Sequence, residues 1–262
     1  GLVPATSALG KATITRGQLL MPYPEFQTLL RRGDNSGSIT NQEVYFAWQR
    51  RFSKGLSVLT NYMISKQLWA RDKKNPQDTQ FERRPGSEDR PQQFTLSASY
   101  ELPFGRNATG LVKRIIGGWQ LGGIYFAQSG AVLSWGPVIF TGSNYGDIMK
   151  APGGNTIDHW FNTAVFNRNP NDQLNTAYQY KYFPASVGPA RAPGVNSLDM
   201  SFSKRTVIRE NVNLHFRADF FDFLNHPNWG APNTTPTSSA FGRITSQANL
   251  PRTAQLGLRL TF

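Results

Sequence analysis

The sequence predicts an all-β fold and, within that class, an antiparallel transmembrane β-barrel segment with long extracellular loops. Three observations carry this. Apolar and polar residues alternate over stretches of about ten residues, the length a tilted strand needs to cross an outer membrane. The connections between stretches run short, long, medium, long, short, long, so one rim gathers tight turns and the other gathers loops. Mid-strand charges (Glu101, Asp199, His215, Arg217, Asp219 and Arg259) all fall on polar faces. A charge on a lipid face near the midplane costs roughly 2–4 kcal/mol, so that segregation fits a membrane.

The elements follow in order. Residues 1–40 are weakly patterned: Ala12–Leu20 is a candidate strand, and Pro22, Pro24 and Gly33–Ser38 read as a surface loop. Asn41–Phe52 alternates Val44, Phe46 and Trp48 with polar neighbours, and Ser53-Lys54-Gly55 turns it into Leu56–Ser65. Gln67–Arg90 is a charged loop. Gln93–Leu102 sets Phe94, Leu96, Ala98 and Tyr100 against Thr95, Ser97, Ser99 and Glu101. Pro103-Phe104-Gly105 turns the chain, Leu111–Ile116 is a candidate short helix, and Gly118–Gln128 returns as a strand. Gly130–Asn196 is the longest interruption, with Ile157–Val165 a candidate helix inside it. Ser197–Val207 and Asn211–Asn225 form a second tight hairpin, and the loop His226–Asn249 leads to the last strand.

That last strand, Leu250–Phe262, is the most regular. Ala254, Leu256, Leu258, Leu260 and Phe262 occupy one face, and Thr253, Gln255, Gly257, Arg259 and Thr261 the other. Phe52, Phe104, Trp119 and Phe262 all fall at the short-turn end, where an aromatic girdle belongs. Seven strands and a weaker eighth near Ala12 are too few for a large barrel. With Gly1 in place of an initiator Met, they read as the C-terminal part of something longer, an open sheet with two unpaired edges.

Composition narrows the function classes. The 262 residues are 39% hydrophobic, 13% aromatic and 17% charged, which argues against disorder. There is no Cys, hence no disulfide framework, thiolate metal site or Cys nucleophile. No apolar run approaches the roughly 18 residues of a membrane helix. The net charge of +12 raises nucleic acid as a partner, but the cations are scattered or mixed with acids, as across Arg71–Arg90, and no nucleic-acid motif is present. No nucleic acid, cofactor or metal is therefore expected.

Several stretches resemble the C-terminal barrel of TonB-dependent outer-membrane receptors, of the Oar-like type with a carboxypeptidase-regulatory-like domain. They are Arg51–Lys66, Ser99–Gly105 (S-Y-E-L-P-F-G), Gly118–Gly130 (G-W-Q-L-G-G-I-Y-F-A-Q-S-G), Arg217–Asn228, Phe241–Ile244 and the terminal L-G-L-R-L-T-F. The resemblance spans the chain and is least in the loops. It implies a barrel of about 22 strands, an N-terminal plug, energy from the TonB complex, and energy-coupled binding and uptake of an extracellular ligand. The plug, the TonB box and the earlier strands are not found in these residues.

The resemblance implies that Leu256, Leu258, Leu260 and Phe262 form the signal read by the barrel-assembly machinery; they are equally explained as lipid-facing residues. Glu101, His215, Arg217, Asp219 and Arg259 are candidates to line the lumen or hold a plug by charged hydrogen bonds, against an internally paired ladder. Trp135, Tyr145, Trp160 and Tyr178, in the longest loop, are candidate ligand contacts, against a small core of the loop's own. Catalysis finds no convergent group. Ser201-Phe-Ser-Lys204 matches S-x-x-K only in a strand that sends its two ends to opposite faces, and three His lack metal spacing. The competing reading to a transporter is a non-transporting outer-membrane barrel that binds through its loops.

Overall fold

A computed structural model describes residues 7–20, 23–26, 35–105, 107–176 and 179–262. Its main element is an antiparallel eight-stranded sheet. The strands are β1 (Ser38–Ser53), β2 (Leu56–Ala70), the short β3 (Arg84–Pro85), β4 (Gln92–Glu101), β5 (Trp119–Gln128), β8 (Val195–Arg209), β9 (Val212–Phe221) and β10 (Thr253–Thr261). The order is β1-β2-β4-β5-β8-β9-β10, with β3 paired to β2 beyond the end of β4. Each long strand lies beside the long strand before it, β1 and β10 are the edges, and the sheet does not close.

Register carries the sequence alternation across the whole sheet. Val44 pairs with Ile64, Val58 with Ala98, and Leu96 with Tyr125. The same row structure continues through Leu121 with Phe202, Met200 with Phe220, and Phe216 with Leu258. Because side chains repeat every two residues, these pairs join one apolar face from edge to edge. On the opposite face Ser99, Gly122, Ser201, Asp219 and Gln255 lie in one row. That face is not purely polar: Leu59, Ser97, Ile124 and Asp199 form another row.

The tight turns follow local chemistry. Lys54 and Gly55 both adopt positive φ, 53° and 88°, and Ser53 pairs with Leu56. Two such residues make the hairpin turn whose twist matches its strands. The β8–β9 turn is equally short, with a register shift between Val207 and Arg209. At Gly118, φ is +75° and a Cβ would meet the Arg205 carbonyl oxygen at 2.2 Å, so only glycine allows the entry into β5.

The predicted loop Gln67–Arg90 gives its first residues to β2, which runs on to Ala70, and holds the short β3. Two further segments differ in kind from the sequence expectation. Ala12–Leu20 is not a strand: Arg16–Leu19 forms a helical turn, α1, capped by Thr15, whose Oγ1 accepts from Gln18 N at 3.2 Å. Gln18 Nε2 donates to the carbonyls of Pro24 and Phe26, a local closure that replaces any ladder. Ile157–Val165 is not a helix either. Trp160 N donates to Gly242 O and the Ile157 carbonyl accepts from Ile244 N, which commits these groups to another loop and leaves only a 3₁₀ turn at Thr163–Val165. Leu111–Ile116 is helical as expected, within α2 (Gly110–Ile116).

The hydrophobic core sits outside the sheet. Within Gly130–Asn196, β6 (Val132–Ser134) pairs with β7 (Ser186–Arg191), and a 3₁₀ helix spans Tyr145–Met149. Leu133, Trp135, Val138, Ile148, Phe161 and Phe166 pack here with Phe183, Val187 and Ala190, joined by Phe241 from the β9–β10 loop. Trp135 stacks on Phe166 at 4.7 Å and meets Phe161 and Phe183 edge-on at 5.2 and 5.8 Å. Such offset and edge geometries are the favoured aromatic contacts. This cap is a small folded body at the long-loop rim.

Candidate functional site

The cap is tied to the β2–β4 loop by side chains buried on both partners. Asp89 is 3% exposed; its carboxylate accepts from Arg191 Nη2 at 2.5 Å and from the backbone N–H of Gln67 at 2.7 Å. Arg191 also donates to the carbonyls of Asp89 and Gly130, each at 3.2 Å. Asn75 reads the backbone of Lys181 in both directions, accepting from its N–H at 2.7 Å and donating to its carbonyl at 3.0 Å. Ser186 Oγ donates to Pro85 O at 2.6 Å. Burying a charge is costly unless it is paired and hydrogen-bonded, as here, and these contacts fix loop and cap as one surface.

Between them lies a cleft of about 790 Å³, whose walls include Lys74, Gln80, Phe81, Arg83, Tyr145 and Val187. That volume lies in the range of small-molecule sites. Its charges are largely self-compensated: Arg84 donates to Asp72 at 2.9 Å and lies 3.3 Å from Glu82, while Lys74 Nζ is 3.7 Å from Glu82. Arg83 is exposed and has no acid partner among the described residues. Beside the cleft, Asp147 accepts from Lys150 Nζ at 2.9 Å and from Asn144 N at 3.1 Å. The Lys150 hydrogen bond, helped by that amide, holds the Asp147 carboxyl below its usual range.

The loop candidates separate. Tyr145 borders the cleft, 42% exposed, held by a tilted contact to Phe140 and an edge contact to Phe183. Trp135 is 4% exposed at the centre of the cap core, so it supports the cap rather than meeting a ligand. Trp160 is half-buried against the same core, with Nε1 donating to Arg191 O at 2.7 Å. Tyr178 lies outside the described residues. The Lys74, Phe81 and Arg83 side of the cleft went unread in the sequence because Gln67–Arg90 is patterned as an ordinary charged loop. Only the cap's position makes it a wall.

The polar-face candidates share β4, β9 and β10. Arg217 Nε reaches both oxygens of Asp219, at 2.9 and 2.8 Å, two residues along the same strand face. His215 stands in register between Arg205 and Arg259 near the short-turn end. Glu101 lies in the row Gln120, Ser203 and Arg217. Of these five, Arg217 and Asp219 form the one ion pair found among the described residues, on the face opposite the apolar one. Leu256, Leu258 and Leu260 point to the apolar face, 70, 71 and 52% exposed, and Phe262 is 95% exposed. Among the described residues no three His, Asp or Glu side chains gather as metal ligands.

Comparison with curated proteins returns no match. A family model described as outer membrane beta barrel domain matches residues 3–255. With the apolar face that runs from edge to edge and the segregated rims, that match places the chain in the bacterial outer membrane, and it belongs to the outer-membrane β-barrel domain family.

Proposed function

We propose that this chain is the C-terminal barrel part of a TonB-dependent, Oar-like receptor, and that it serves energy-coupled binding and uptake of an extracellular ligand. The observation that carries the reading is the folded cap, which with the β2–β4 loop presents a cleft at the long-loop rim. A barrel that served only as scaffold would need neither. Sequence resemblance in the G-W-Q-L-G-G and R-A-D-F-F-D-F-L-N stretches supports the same family. In this reading the cleft makes first contact, through Tyr145, Phe81 and Arg83. The Arg217–Asp219 pair belongs to the surface that an upstream plug contacts. The assembly machinery reads Leu256, Leu258, Leu260 and Phe262. No catalytic step is assigned.

The test is to sequence the reading frame upstream of Gly1 and to compare ligand accumulation with and without TonB. A plug and a TonB box upstream, with accumulation lost in the TonB-deficient strain, are the expected result. A signal peptide close to Gly1, or uptake indifferent to TonB, overturns the transporter in favour of a surface-binding barrel.

A further inference from the structure

Helix α2 lies in the β4–β5 connection at the short-turn rim. Leu111, Val112, Ile115 and Ile116 are spaced i, i+1, i+4 and i+5, so they form one arc, and Lys113 and Arg114 fill the other. A helix on a water-soluble protein turns its apolar arc inward. Here neither arc is buried, and the apolar one stands as open as the cationic one. Arg114 Nη2 donates to Ile208 O, 3.4 Å away, on the end of β8 that projects past the Trp119–Lys204 pair closing β5. Meanwhile Leu111, Val112, Ile115 and Ile116 are 72, 57, 68 and 43% exposed.

The position of the helix is set from the apolar face of the sheet. Lys204 stands on that face, in register with Trp119 and Phe216. Its Nζ lies 4.9 Å from the Trp119 ring and donates to Ile115 O at 2.6 Å and Gly117 O at 2.8 Å. A cation there satisfies carbonyls that the helix end leaves open. It also explains a lysine on a lipid-facing surface: the long stem lies along the apolar face and the ammonium reaches the rim. Phe104, 58% exposed, flanks the same level. The apolar arc therefore continues the lipid-facing surface at its lower edge.

We infer that α2 is an in-plane anchor, its Leu111–Ile116 arc inserted in the periplasmic phospholipid leaflet of the outer membrane. Helices of this polarity lie about 5–10 Å into the boundary between headgroups and acyl chains. Seven residues would scarcely hold helix alone in water. Lys204 and the entry to β5 hold this one.

The chain has no native Cys, so single-Cys reporters can be placed directly. Leu111→Cys, Ile115→Cys and Lys113→Cys would be made in the full-length protein in proteoliposomes of phosphatidylethanolamine and phosphatidylglycerol. Heat-modifiable gel migration confirms the fold. Each is labelled with an environment-sensitive fluorophore and quenched with shallow doxyl-labelled lipid. The expected result is lipid quenching at least about threefold greater at 111 and 115 than at 113, with little reaction of the unlabelled 111 and 115 thiols toward a water-soluble maleimide. Two results overturn the inference. Thiols at 111 and 115 as reactive as that at 113 mean the arc faces water. Labels shielded from both reagent and quencher mean that protein covers it.

Discussion

The sheet and the cap solve the same problem with opposite surfaces. The cap buries its apolar residues against one another: Phe161 is 1% exposed and Ile148 is fully buried. In the sheet Ala218 alone among the described hydrophobic residues of the long strands is buried, while Phe46, Trp48, Leu256 and Leu258 are all more than half exposed. Water drives the first arrangement, because apolar area leaving water is the main source of stability for a soluble core. Lipid replaces that core for the second, where the requirement is paired backbone and an apolar outer face. One chain thus carries two folding regimes, and a residue's exposure means opposite things in each.

That contrast can be broken from either side. The largest expected effect is in the cap. Phe161→Ala removes a ring held edge-on by Trp135 and Phe241 at 5.2 and 5.1 Å. It should cost the cap about 3–5 kcal/mol. Hydrogen exchange should then rise across 130–196 and 226–249 while β4, β5 and β9 keep their protection. Loss of protection in the strands as well would mean that the two regions fold as one unit.

A smaller effect separates the faces of the sheet. Leu96 pairs with Thr60 and Tyr125 on the apolar face, whereas Thr95 lies opposite Asn61 and Phe126 on the other. Leu96→Arg should destabilise the membrane-inserted state by roughly 2–4 kcal/mol, and Thr95→Arg by much less. Urea unfolding in liposomes reads both. Equal losses would remove the assignment of the apolar face to lipid.

The smallest effect is electrostatic and confined to the cap. The Asp147 carboxyl titrates below its usual range because Lys150 and the Asn144 amide favour its charged form. A depressed folded value contributes stability above the unfolded carboxylate range, and that stability is lost as pH falls through the lowered value. Acidification into that window should loosen the Tyr145–Met149 turn, seen as faster exchange there, and Lys150→Gln should blunt the response. No such response appears in the sheet if the regions are separate.

How much was legible follows from where the signals lie. Seven strands, their turns and the apolar face were legible, because alternation is a local pattern and register simply extends it across neighbours. The terminal strand is the clearest case: Leu256, Leu258 and Leu260 could be assigned to one face without knowing any partner. The candidate site was legible only in part. Trp135 and Tyr145 look alike as aromatics in a Gly- and Pro-rich loop, yet one is the centre of a core and the other borders a cleft. Nothing within a few residues of either distinguishes them.

By itself, then, the sequence determined the strands and the two rims, because each depends on a two-residue period and on nearby turn chemistry. The tertiary structure decided the rest. It paired Asp89 with Arg191 across 102 residues of chain, turned Gln67–Arg90 into a wall, and held the end of α2 on Lys204 with its apolar arc exposed. These depend on contacts between segments remote in sequence, whose energies are set by geometry after folding and leave no periodic trace along the chain.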